Sequence, residues 1–288
     1  MASGLFAAAC SSGSGTGTAT STSSAAPSKA VSSIAAQVPS SIRTKGALTV
    51  AADATYAPNE FIGSDGHTVV GMDADLAQAL GQVMGLKVNV VNATFDTIIP
   101  GIASGKYDLG MSSFTDTKAR QQTVDFVTYF AAGTSFYVKS SGGPNITSLT
   151  DLCGHKVAVE KGTTQQSDVQ AQASKCKSAG KAAVSLQIFN DQNAVNLALS
   201  SGRADVAMAD SPVAAYQVKK SAGTFKLSGQ PYGTAPYGIA MPKNNGMAKP
   251  VQAALKVLIA NGTYTSILDK WGVQAGAITN PQINGATS

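Results

Sequence analysis

The sequence predicts an α/β fold assembled from two similar halves. Strand-like and helix-like stretches alternate from about residue 46 onward, and one helix–turn–strand unit occurs twice. In addition, 43% hydrophobic residues over 288 positions supply enough apolar material for a substantial core. In chain order, LTVA at 48–51 reads as a strand. GMDADLAQALGQVMG follows from Gly71, with Met72, Leu76, Ala79, Leu80 and Val83 at helical spacing, Asp73 placed to cap and Gly85 to stop the helix. KVNVV, a helix over 98–103 and YDLGM continue the alternation. IASGKYDLGMSS at 102–113 then aligns without gaps on LSSGRADVAMAD at 199–210, with Ser, Gly, a basic residue, Asp and Met in register. In each copy a helix ends at a glycine suited to a left-handed turn, Gly105 or Gly202, and a short buried strand follows. Ligands of open α/β sheets bind beyond the carboxyl ends of strands. Ser112 and Ser113 in one half, and Asp210 in the other, stand at corresponding strand ends. Two such edges facing each other make a cleft; chance similarity of two helix–turn–strand units is the alternative.

The charge pattern narrows the function classes. The net charge of +5 comes from 21 basic and 16 acidic residues spread without any run of Lys or Arg, so no nucleic-acid partner is expected. No stretch has the length of apolar sequence that a membrane-spanning helix requires. The two histidines, His67 and His155, lie in turn-like settings outside any metal-ligand spacing. Neither a metal nor a cofactor is expected.

Three cysteines divide into Cys10 near the N-terminus and the pair Cys153 and Cys176. LFAAAC at 5–10 resembles the lipobox of bacterial lipoproteins, in which a signal peptide is removed and the Cys carries lipid. A stray Cys in a disordered end is the other reading. The tract SSGSGTGTATSTSSAAPS that follows behaves as a flexible tether. Residues 1–45 are therefore expected to form the lipobox remnant and a disordered Ser/Gly/Thr/Ala tether.

From residue 46 to about 274 the sequence resembles the family 3 extracellular solute-binding proteins, the amino-acid receptors of ABC importers. LTVAADATYAPNEF is similar to the family's D-x-x-Y-x-P-x-E opening, and GMDADL to its G-F-D-x-D-L helix. FDTIIPGIASGKYDLGMSSFTDTKARQQTVDF, LTDLCGHKVAVEKGTTQ, YGIAM and NGTYTSILDKWG follow in the family's order. Asn59 and Met72 stand where the family commonly carries Phe; the second is a volume-conserving core swap. The resemblance implies two α/β lobes joined by a two-strand hinge, the type II periplasmic-binding-protein arrangement. Residues 46–134 and 237–276 would form lobe 1, 135–236 lobe 2 and 277–288 a tail, with crossovers near 132–137 and 234–238.

The function implied is the extracytoplasmic substrate-binding component of an ABC importer, a monomer lipid-anchored at the bacterial cell membrane beside its permease. It would bind a polar or basic amino acid by lobe closure. The runner-up is a dehydratase on the same scaffold acting on prephenate-like acids, for which Glu60, Asp53 and Glu160 are candidate acids but no dedicated motif is present. A pair of cysteines in an exported chain is expected to form a disulfide, Cys153 to Cys176, with two buried thiols as the alternative.

An amino acid carries a carboxylate and an ammonium on one carbon, so its receptor needs one cation and one anion in fixed relation. Arg120 falls where the family binds the carboxylate, its planar fork able to pair both oxygens; without the resemblance it reads as a solvated helix residue. Asp210 matches the family's ammonium acceptor, and, preceding Ser211 and Pro212, also suits a helix N-cap. Ser112 and Ser113 are expected beside the ammonium. Thr115 and the Gly162, Thr163, Thr164 turn would complete the carboxylate site, or that turn simply starts a helix. Tyr56 and Phe95 would flank the ligand, Phe95 equally suiting core packing. Glu160, with Asp53 and Glu60 facing it, would read a cationic or N–H-donating side chain. Strand alternation lets only one of Glu160 and Lys161 enter the cleft. Trp271 is expected to be a packing anchor of lobe 1.

Overall fold

Each helix of this chain buries one apolar face against a sheet, and the order of those helices fixes where the strand ends meet. The computed structural model describes Met1 and residues 30–286; Cys10 and the tract after it lie outside the described residues. The chain runs through α1 (Ser32–Ala35), α2 (Ser40–Lys45), β1 (Ala47–Ala52), β2 (Thr55–Tyr56), β3 (Glu60–Ile62), β4 (Val69–Val70), α3 (Met72–Met84), β5 (Lys87–Asn92) and α4 (Phe95–Ala103). It continues with β6 (Leu109–Gly110), β7 (Val124–Lys139), β8 (Lys156–Glu160), α5 (Thr164–Ser178), β9 (Ser185–Phe189), α6 (Gln192–Ser201) and β10 (Val206–Asp210). The last elements are α7 (Ser211–Lys220), β11 (Phe225–Pro242), α8 (Ala248–Ala260) and α9 (Thr263–Trp271).

Eight strands form one sheet in the order β5-β1-β6-β11-β7-β10-β8-β9. β5, β1 and β6 run parallel on one side, and β10, β8 and β9 run parallel on the other. Two long antiparallel strands, β7 and β11, join the sides and belong to both. Residues 124–132 of β7 pair with the second half of β11, whereas 134–139 pair with its first half. The register between them shifts at Ser228/Tyr232, Tyr232/Ala235 and Tyr237/Gly238. Bulges of this kind interrupt the ladder and bend the strands, and here they lie where the chain passes between lobes. The crossovers expected near 132–137 and 234–238 lie within these two strands.

Local sequence accounts for the elements. Met72, Leu76, Leu80 and Val83 of α3 are buried with α8, α9 and the sheet in one apolar cluster, and Gly85 at φ 71° ends the helix. Asp73 does not cap it. Gly71 begins the helix, with a backbone so close to Asn59 that an added Cβ would lie 2.2 Å from the Asn59 carbonyl oxygen. Asp73 therefore falls inside the first turn and points inward. The repeat behaves as its sequence suggests: Gly105 and Gly202 both take left-handed φ, 78° and 79°, ahead of β6 and β10. Each of these strands then lies against one of the two long strands, β6 against β11 and β10 against β7.

Three expectations change. α4 starts at Phe95, before the expected residue 98, because Asp53 accepts the Phe95 backbone N–H at 2.9 Å and satisfies the helix start. The body also begins ahead of residue 46. Residues 32–45 form α1 and α2 rather than tether, with Ile34 and Val38 buried in the lobe 1 core and the Val31 N–H bonded to the Val83 carbonyl at 2.9 Å. The short apolar stretch at 31–38, expected to lie ahead of the folded body, is what anchors this segment to it. At the other end, residues 282–284 of the tail lie against β7, with Ile283 bridged to Val127. Trp271 packs edge-on against Phe61 with its indole N–H on Asp75, in lobe 1 as expected.

Cys153 and Cys176 form the disulfide, with Cα atoms 5.7 Å apart. It ties α5 to the turn preceding β8. The buried positions of α5 are Gln165, Val169, Gln172 and Cys176, so Val169 is the one aliphatic side chain that anchors this helix. Replacing both cysteines by Ser should therefore lower stability by about 3 kcal/mol, read as a reduced denaturant midpoint. An unchanged midpoint would show that the bond adds nothing to the anchoring of α5.

Candidate functional site

The carboxyl ends of β1, β6, β8 and β10 converge where the two lobes meet, as parallel strands in each half require. They bring Asp53, Ser112, Ser113, Glu160 and Asp210 around one chamber, with Tyr56, Phe95, Thr115, Arg120, Thr163, Thr164 and Gln165 completing its wall. Of the residues expected at the site, Glu60 and Gly162 do not line it.

The floor on the lobe 1 side is a buried polar cluster. Glu60 is fully buried behind the two serines and accepts hydrogen bonds from the Ser112 and Ser113 hydroxyls at 3.2 Å each. Asp73 accepts the Ser113 N–H at 3.0 Å and the Tyr129 hydroxyl at 2.8 Å. Burial pushes both carboxyls up, and the neighbouring Asp73 charge pushes Glu60 further. Ser113 sits at φ 53°, held there by this cluster and by the Asn59 amide, which donates to its hydroxyl at 2.9 Å. Glu60 thus shapes the floor from beneath rather than facing the cleft.

One wall is cationic and aromatic. Phe95 stacks on Phe114, ring centroids 4.5 Å apart, and the Arg120 guanidinium lies 5.4 Å from both centroids. Nη1 of Arg120 donates to the Thr115 carbonyl at 2.9 Å, and Nη2 donates across the lobes to the Gly162 carbonyl at 3.0 Å. These bonds fix the plane of the guanidinium and leave three of its five N–H groups. Desolvation lowers its pKa to about 10, opposed by the nearby Asp210. Gly162 contributes its backbone and packs against Asp96 at the lobe contact, where its left-handed φ of 80° suits glycine.

The opposite wall is acidic. Lys161 turns outward to pair with Asp96 at 2.7 Å, so strand alternation turns Glu160 inward. Glu160 is 2% exposed, and its Oε1 has no hydrogen-bond partner among the described residues. Burial, followed by the charges of Asp53 on the facing lobe and of Asp191, drives its pKa far up. Asp53 is also raised by burial, against hydrogen bonds from the Thr55 hydroxyl at 2.7 Å and the Phe95 N–H. Asp210 occupies the N-cap position of α7 without capping it. Its carboxylate instead accepts from Gln165 at 2.7 Å and from the Tyr237 hydroxyl at 2.6 Å, and burial raises it to about 6.

Further contacts cross between the lobes. The Tyr56 hydroxyl accepts the Asp210 N–H at 2.9 Å, and the Thr55 hydroxyl accepts the Gln192 N–H at 3.1 Å. Thr163 caps α5 and donates to the Glu160 carbonyl at 2.7 Å, holding the turn that follows β8. Sequence reasoning missed Gln165 and Tyr237, the two residues that orient Asp210. Gln165 was within the quoted GTTQ motif, and its signal was a polar residue four positions before Val169 on the inward face of α5. Tyr237 was within reach too, as a polar-tipped aromatic on a hinge strand.

Comparison with known proteins agrees with this geometry. Residues 48–274 match the bacterial extracellular solute-binding proteins, family 3. The arginine-binding protein ArgT of Corynebacterium glutamicum is 32% identical over 255 residues, covering 88% of this chain and 83% of its own. ABC transporter arginine-binding protein 1 of Escherichia coli K12 is 31% identical over 223 residues, 76% of this chain and 87% of its own. A solved structure of an ancestral arginine-binding protein bound to arginine superposes with a TM-score of 0.73 at 37% identity, over 78% of this chain and 98% of that one.

Proposed function

This chain belongs to the family 3 bacterial extracellular solute-binding proteins, and from that premise we propose that its chamber selects an α-amino acid with a cationic side chain, arginine foremost. The chain is the extracytoplasmic substrate-binding component of an ABC importer for amino acids and not an enzyme, as its relatives are transporter binding proteins. The observation that carries the choice of ligand is the charge imbalance of the chamber. Asp53, Glu160 and Asp210 are buried there against the single cation Arg120, and one oxygen of Glu160 has no hydrogen-bond partner among the described residues. A buried acceptor without a donor costs about 1–3 kcal/mol, which a ligand N–H recovers.

In this reading Arg120 meets the α-carboxylate, with Thr115, Thr163 and Thr164 beside it. Asp210 takes the α-ammonium, with Ser112 and Ser113 nearby. Glu160 and Asp53 receive the side-chain cation from opposite lobes, so the ligand joins the lobes. A guanidinium, planar and forked, suits two carboxyls better than a point charge does. One copy of the chain supplies the whole chamber, in keeping with a monomer.

Two outcomes test this. In a thermal-shift panel, arginine, with lysine, ornithine and glutamine behind it, should raise the melting temperature, whereas aspartate and glutamate should not. Glu160→Gln should weaken arginine binding about tenfold or more, and Arg120→Ala should largely abolish it, since each leaves a charge buried without its partner. Stabilisation by the acidic amino acids alone, or near-normal affinity in Arg120→Ala, contradicts the assignment.

We also propose lipid anchoring at Cys10, supported by the lipobox resemblance and the Ser/Gly/Thr tract after it. No helix among the described residues is long and apolar enough to cross a membrane. Expressed in a bacterial host, wild type should partition with membranes and Cys10→Ala should be released. Retention of the variant on membranes would contradict anchoring at this residue.

A further inference from the structure

A serine hydroxyl has one proton to give and two lone pairs to accept with, so a count of its bonds shows what it can still offer a ligand. Ser112 and Ser113 follow β6 at the border of the chamber, and both are buried. The Ser112 hydroxyl oxygen accepts the Asp53 backbone N–H at 2.8 Å and donates its proton to Oε1 of Glu60 at 3.2 Å. The Ser113 oxygen accepts the Asn59 amide N–H at 2.9 Å and donates its proton to Oε2 of the same carboxyl, also at 3.2 Å. One carboxyl group thus takes a proton from each serine. Each hydroxyl keeps a single free lone pair.

The fold holds Glu60 to this task from outside the chamber. Glu60 begins β3, where it pairs with Tyr56, and it is fully buried. Its backbone is pressed against Gly71, at which an added Cβ would lie 2.9 Å from the Glu60 nitrogen. Asp73, the other acid of the cluster, takes the Ser113 backbone N–H at 3.0 Å and the Tyr129 hydroxyl. The two serine hydroxyls are left to Glu60.

We infer that Glu60 is a positioning residue that sets specificity at the ammonium end of the ligand: by drawing both serine protons out of the chamber, it makes the floor an acceptor of N–H groups. An ammonium carries three N–H donors. The Asp210 carboxylate and the lone pairs of Ser112 and Ser113 supply an acceptor for each. A ligand with a hydroxyl in place of the ammonium brings one donor and sets its own lone pairs against those of the floor. The inference rests on the reading that places the α-ammonium beside Asp210 and these serines.

The test uses the full chain and Glu60→Gln, which keeps the shape of the side chain but replaces one acceptor oxygen by an N–H donor. One serine must then accept from it and turn its own proton toward the chamber. Calorimetry compares arginine with its α-hydroxy analogue, in which a hydroxyl replaces the ammonium. The preference for arginine should fall about tenfold or more in the variant, as expected for one hydrogen bond to a charged group. Equal weakening of both ligands would make Glu60 a plain support for the floor and overturns the inference, as does an unchanged preference. Neutron diffraction from ligand-free wild type needs no variant: the hydroxyl deuterons of Ser112 and Ser113 should both point at Glu60, and either one pointing into the chamber overturns the inference. If wild type fails to bind arginine, the reading of the chamber falls, while the deuteron positions still decide what Glu60 does to the serines.

Discussion

A carboxylate taken out of water costs several kcal/mol unless a cation or a set of donors replaces its hydration. This protein places three of them, Asp53, Glu160 and Asp210, around a chamber with one arginine. Asp210 has its replacement donors in Gln165, Tyr237 and the nearby Arg120. Asp53 and Glu160 have less, and burial of the facing pair favours a proton on it over two charges. The closed arrangement is therefore most comfortable either with that proton or with a cation in its place. A cationic ligand supplies the second solution, and its binding and lobe closure become one event.

The rest of the fold serves to hold those charges in place. Parallel strands deliver Asp53, Ser112, Glu160 and Asp210 at their carboxyl ends, and the two long strands shared by both lobes let the ends approach. The Glu60, Asp73 and Tyr129 cluster fixes Ser113 from below, and the tail adds hydrogen bonds to the start of β7. Bulges in the β7–β11 ladder place the bend between the lobes. A hinge built from continuous strands permits closure without breaking the packing of either half.

Much of this was legible in the sequence because it depends on periodicity and on ordered motifs. The repeat at 102–113 and 199–210 marked both strand ends, and Gly105 and Gly202 marked the turns before them. Less was legible where tertiary burial decides the direction of a side chain. Glu60 lies in a two-faced hairpin, and nothing local says that it faces the serines from behind. Asp73 looks like a helix cap until Gly71 is seen to begin the helix. Gln165 and Tyr237 carry no motif of their own, since their task is to orient a third residue. Residues 32–45 read as tether because serine-rich composition outweighs two apolar anchors, Ile34 and Val38, that matter only once the lobe 1 core exists.

The account turns on protons giving way to a ligand cation, and proton-linked calorimetry tests that directly. A raised carboxyl pKa stabilises the free protein below the ordinary value of 3.8, a contribution lost as pH rises through the folded value, about 6 for Asp210. A bound cation favours the ionised form. Titrating arginine into the protein near pH 6 in buffers of different ionisation enthalpy should thus show net proton release, with affinity falling as the pH is lowered further. No proton exchange, with affinity constant from pH 5 to 8 (a window of about one to two units around that value), would contradict it.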